Sequence, residues 1–84
     1  MVGSYVIKLD YRGDKEDKNF EFKRLKNADY LEELRLWENE IEVIEKIRHL
    51  KKLRVLDLSR NKIEDFQADC FNGLNLTELN LEFN

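Results

Sequence analysis

His49 and Cys70 are the side chains here with the chemistry of a base and a nucleophile, and each type occurs once. Paired, a thiolate and an imidazole could attack a carbonyl; joined by further histidines or cysteines, either could hold zinc. The neighbours of His49 are Arg48, Leu50, Lys51 and Lys52, with no second histidine and no cysteine close by, so it reads as a solvated surface residue. Cys70 lies in a different segment and reads as a small apolar packing residue. Carboxylates are plentiful, but a charged surface is dense in them without any desolvated pair suited to acid–base work. Gly3, Gly13 and Gly73 are the only glycines, which excludes both glycine-rich phosphate cradles. Arg12-Gly13-Asp14, the tripeptide of integrin ligands, and Asn75-Leu76-Thr77, a formal glycosylation acceptor, are three-residue matches of the kind chance supplies. The expectation is of no enzyme, no metal and no cofactor.

What positions these residues is a repeat. Leu31, Leu34, Leu36, Asn39 and Ile41 reappear as Leu53, Leu56, Leu58, Asn61 and Ile63, then as Leu76, Leu79, Leu81 and Asn84. The pattern LxxLxLxxN thus occurs three times, with 22 residues from Asn39 to Asn61 and 23 from Asn61 to Asn84. A degenerate copy precedes them. Val6, Leu9, Tyr11 and Asp14 keep the spacing, and Phe22, Leu25 and Ala28 fall 22 residues before Ile44, Ile47 and Leu50. The first copy carries extra residues in the charged stretch of Lys15, Glu16, Asp17 and Lys18 and reads as a worn N-terminal cap. The fourth stops at Asn84 without a returning segment, as a truncated array would, and self-association through that uncapped end is expected.

Leucines at Leu34 and Leu36 flank a polar residue, the period of a half-buried strand, so the leucines point inward and the intervening positions outward. Four such strands should stack in parallel. Between them, Ile41, Ile44, Ile47, Leu50 and Leu53 recur every third residue. On an α-helix that stripe would drift around the cylinder, so short 3₁₀-like turns are the better reading than one helix over 40–56. Asn39, Asn61 and Asn84 stand where the chain leaves each strand. Their amides supply donors and acceptors to turn backbone that would otherwise be buried unpaired, at about 1–3 kcal/mol per group.

The chain has 84 residues, 42% hydrophobic and 39% charged, enough apolar content for one folded domain and too much for a disordered tail. A net charge of −3 gives no overall drive toward nucleic acid or anionic membrane. One cysteine, no apolar leader and no membrane-length run suggest a cytoplasmic, intracellular setting.

The repeated LxxLxLxxN units resemble leucine-rich repeat proteins, and their spacing is most similar to the intracellular phosphatase-regulatory and scaffold-like class. The resemblance implies an α/β fold: a right-handed solenoid with short parallel strands on the concave face and 3₁₀ or short helical segments on the convex face. One domain over 1–84 would comprise a degenerate repeat 6–30, repeats 31–52 and 53–75, and a partial repeat 76–84. It further implies a non-catalytic module presenting its concave face to a partner protein. On that face position five reads Asp10, Arg35, Asp57 and Asn80, position seven reads Arg12, Trp37, Ser59 and Glu82, and position eight reads Gly13, Glu38, Arg60 and Phe83. Asp10, Arg35, Trp37, Asp57, Arg60 and Asn80 are the expected contact residues, with Trp37 as anchor, and Asn39, Asn61 and Asn84 the structural ladder. Two alternatives stand beside this. One is the sensing fragment of a larger kinase or ubiquitin ligase. The other is RNA-associated binding through a basic convex stripe of Lys23, Arg24, Lys26, Lys46, Arg48, Lys51 and Lys52.

Overall fold

The computed structural model describes residues 8–10 and 20–84, residues 9 and 10 in backbone only. The expectations placed on Arg12, Gly13, Asp14 and the charged stretch 15–18 lie outside the described residues. Among the described residues six strands occur in chain order: β1 (Lys8–Asp10), β2 (Glu33–Arg35), β3 (Val43–Ile44), β4 (Val55–Asp57), β5 (Asp65–Phe66) and β6 (Glu78–Asn80). Strands β1, β2, β4 and β6 form one parallel sheet in that order, and β3 and β5 form a second. Register follows the leucine pattern, with Leu9 opposite Leu34, Leu34 opposite Leu56 and Leu56 opposite Leu79. Each copy of the motif therefore lays one rung of sheet beside the rung before it.

Between the sheets sits the core. Leu34, Leu36, Leu56 and Leu58 face it from the strands at 0% exposure, and Ile44, Ile47, Leu50 and Leu53 close it from the other side. Full burial of one such side chain is worth about 1.5–3 kcal/mol relative to leaving it in water. Phe20 and Phe22 fill the space beside the first described rung, their rings packed edge to face with centroids 5.6 Å apart.

The outer segments depart from expectation. Phe22–Leu25 is a 3₁₀ helix with Phe22 and Leu25 buried, because three residues per turn bring them to the same side. In the next two rungs the corresponding residues instead form the short β3–β5 pair, Ile44 lying opposite Phe66. Isolated i→i+3 turns follow: the Leu50 amide donates to the Ile47 carbonyl at 3.0 Å and that of Leu53 to the Leu50 carbonyl at 3.0 Å. No α-helix occurs among the described residues, so the helical half of the α/β expectation reduces to one 3₁₀ turn. Once adjacent rungs are stacked at strand spacing, about 4.8 Å, their outer backbones also come within reach of a ladder bond, and two residues of β take the place of a helical turn.

Candidate protein-binding face

Alternation along the strands carries position five outward while Leu34 and Leu36, Leu56 and Leu58 face the core. Parallel register then lines up Asp10, Arg35, Asp57 and Asn80 across four strands. Arg35 is the hub of this column. Its guanidinium lies 3.2 Å from Glu33, 3.8 Å from Asp57 and 3.7 Å from Glu78. The guanidinium is one-third exposed, so each pair contributes about 0–1 kcal/mol and together they fix the orientation of Arg35 more than they stabilise the fold. The other column members work locally. Asp57 Oδ1 accepts the Ser59 amide at 3.0 Å, and Asn80 Oδ1 accepts the Glu82 amide at 3.0 Å. Each clamps the turn two residues on, a job an arginine cannot do in the second rung.

Position three, unread in the sequence, shares this face because it lies two residues before position five. It holds Lys8, Glu33, Val55 and Glu78. Glu33 is almost enclosed, its side chain 11% exposed, and three cations gather on it: Lys8 at 3.7 Å, Arg35 at 3.2 Å and Arg54 at 3.0 Å. Burying a carboxylate is tolerable only with such partners. The clue in the sequence was the stride of two from each position-five residue.

Beyond the strands the chain turns sharply. Glu38, Arg60 and Phe83, the described residues of position eight, have φ of 55°, 56° and 58°. A left-handed conformation costs a non-glycine residue about 1–2 kcal/mol, so its recurrence needs a force that holds it. The asparagines provide one. Asn61 Oδ1 accepts the amides of Asn39 at 2.8 Å and Ile41 at 3.1 Å, while its Nδ2 donates to the carbonyls of Leu36 and Leu58 at 2.9 Å and of Ser59 at 3.2 Å. Asn84 copies the arrangement one rung later: Oδ1 accepts from Ile63, and Nδ2 donates to Leu58, Leu81 and Glu82. Asn39 Nδ2 donates to the Trp37 carbonyl at 3.1 Å. Asn61 and Asn84 thus each pair the backbone of two rungs with one side chain.

The turn sets the edge of the face. Trp37 is half-buried and Ser59 buried, while Arg60 is exposed. The Arg60 guanidinium carbon lies 4.6 Å from the Phe83 ring centroid, a cation–π contact on an aromatic ring that is 68% exposed. Arg35, Asp57 and Asn80 are brought side by side as neighbours in register, with Trp37 and Arg60 just past the ends of the neighbouring strands β2 and β4; the side chain of Asp10 lies outside the described residues.

The residues that could have been catalytic are held in other ways. Cys70 is buried, and burial pushes its thiol above the ordinary value of 9.0, the reverse of nucleophile activation. His49 is exposed yet not merely solvated as its sequence setting suggested: Nε2 stands 2.7 Å from the Leu25 carbonyl oxygen, so a protonated Nε2 donates to the neighbouring rung. What the arrangement offers chemically is a mixed-charge surface with an aromatic edge.

Residues 29–84, two thirds of the chain, match the family model described as leucine rich repeat. The match begins just ahead of Leu31 and leaves the degenerate first copy outside it. No curated protein and no solved structure matches the chain. With three copies of LxxLxLxxN on parallel, in-register strands and a family match over most of its length, the chain belongs to the leucine-rich repeat proteins.

Proposed function

We propose that this chain is a non-catalytic module that binds a partner protein through the strand face, with Asp10, Arg35, Trp37, Asp57, Arg60 and Asn80 as the contact residues. Leucine-rich repeats generally mediate protein–protein interaction, which supports the class of function. The rungs wind in this reading as a right-handed solenoid, the hand taken by about 98% of parallel crossovers, with the strand side concave. The lone Cys70 suits a reducing, intracellular compartment.

The observation that carries the reading is the in-register column Arg35, Asp57, Asn80 beside two aromatic side chains. Arg35 is held in a fixed direction by three carboxylates, and the stacked Arg60–Phe83 pair adds an ordered edge, so little side-chain entropy remains to be lost on docking. Trp37 and Arg60 belong to the residue types that most often dominate binding energy. Affinity capture with the 84-residue chain and with Trp37→Ala, compared protein by protein, tests this. The partner should be recovered by the wild type and lost, by about tenfold or more, with Trp37→Ala and Arg60→Ala. Recovery of the same proteins in the same amounts by all three would refute the assignment of the face.

A further inference from the structure

The strand face and the outer side treat their cations differently. On the strand face Lys8, Arg35 and Arg54 each stand within ion-pair distance of Glu33. On the outer side Lys26, Lys46, Arg48, Lys51 and Lys52 are exposed and, among the described residues, have no acidic partner. Lys23 is the outer lysine that has one, Glu21 at 3.1 Å. Charges left unpaired on one side of a molecule that pairs them on the other are free to meet a counter-charge from outside.

Their placement makes a continuous track. One depression is lined by Lys23, Lys26, Lys46 and Glu45, over the floor of buried Phe22; a second is lined by Arg48, Lys51 and Gly73. His49 lines both, and its bond to the Leu25 carbonyl holds the ring across the junction of two rungs. At the far end the backbone stays out of the way. Gly73 sits at φ +82°, and a Cβ there would come 2.8 Å from Lys51 Nζ, so the absent side chain leaves the ammonium its position. Five cations line the two depressions against one carboxylate, Glu45.

We infer that this track is a second docking site, one that takes an extended acidic peptide segment of a protein partner. The cations stand on two rungs about 4.8 Å apart, and an extended chain rising about 3.3 Å per residue places carboxylates on one side about every 6.6 Å, so a short run of alternating acids can meet cations of both rungs. Single-stranded RNA is disfavoured, since no exposed Phe, Tyr or Trp ring lines the track, and the His49 imidazole is tied to the Leu25 carbonyl. An anionic membrane is disfavoured as well, because the large apolar ring in the lining, Phe22, is 7% exposed and cannot insert.

The test is fluorescence anisotropy with three probes on the full 84-residue chain: a labelled alternating Glu-Ser peptide, oligouridylate, and phosphatidylcholine vesicles containing phosphatidylserine. The peptide should bind, weaken steeply with added salt, and weaken about tenfold in the Lys46→Glu, Lys51→Glu double variant. The neutral Lys46→Gln, Lys51→Gln pair should fall between, and Trp37→Ala should bind as the wild type does. Circular dichroism of each variant confirms that the exposed substitutions leave the fold intact. Failure of the peptide to bind, equal binding by the double variant, or tighter binding of oligouridylate or vesicles each overturns the inference without touching the strand-face reading.

Discussion

The third and fourth rungs share a motif and a backbone but not an environment. Leu56 and Leu58 are 0% exposed; their counterparts Leu79 and Leu81, in the same register one strand on, are 44% and 37% exposed. Yet the local geometry is copied closely. Arg60 and Phe83 turn at φ 56° and 58°, and Asn84 makes with Leu58, Leu81 and Glu82 the bonds that Asn61 makes with Leu36, Leu58 and Ser59. Shape is therefore a property of the motif, whereas stabilisation by burial comes from having a rung on both sides. That separation is what a nearest-neighbour description of repeat proteins requires.

Truncating the two leucines tests it most severely. Leu56→Ala should cost about 3–5 kcal/mol, since a fully buried leucine leaves a cavity among packed neighbours, and in a domain this small that is enough to abolish cooperative unfolding in urea. Leu79→Ala should cost below about 1 kcal/mol, because half of what it removes is already in water. Equal losses would show that burial in the fourth rung counts as fully as in the third. The asparagines come next. Asn61→Ala strands the amides of Asn39 and Ile41 and the carbonyls of Leu36 and Leu58 in a buried turn, an effect of about 2–3 kcal/mol by thermal melting. Asn84→Ala frees the same kinds of group at an exposed turn where water replaces the amide, so its melting point should move little.

How far this contrast could be read from the sequence depends on periodicity. The register of Leu34, Leu56 and Leu79 was legible because inward leucines fix which residues stand opposite, and the position-five column followed from it. Contacts between non-equivalent positions were not. Arg54 reaches back to Glu33 across 21 residues and His49 to Leu25 across 24, pairings that exist only once the rungs are stacked. The β3–β5 pair was hidden for a different reason: two residues carry no periodic signal, and ladder bonding decided them only after stacking. At Glu38, Arg60 and Phe83 the residue types give no hint of a left-handed turn, because neighbouring asparagines hold the turn in place of glycine.

The smallest predicted effect locates where the interior ends. Cys70 belongs to the outer segment of the third rung and is 4% exposed, although its neighbours Phe71, Leu74 and Leu76 are only half-buried. Burial, reinforced by the charge of Asp69 and partly offset by backbone hydrogen bonds, holds its thiol above the ordinary value of 9.0. A folded-state value above the unfolded one means the native state keeps its proton longer. The corresponding stability is then whole below pH 9 and declines as pH rises past 9 toward the folded value. Urea midpoints at pH 8 and pH 9.5 should differ in that sense, and Cys70→Ala should remove the difference. Iodoacetamide should modify the native thiol far more slowly than a free cysteine at equal pH, since only transient opening exposes it. If alkylation instead ran at the free-thiol rate while Leu56 remained packed, the outer segment of the third rung would already behave as the fourth does, and the boundary between interior and edge would pass through the third rung rather than beyond it.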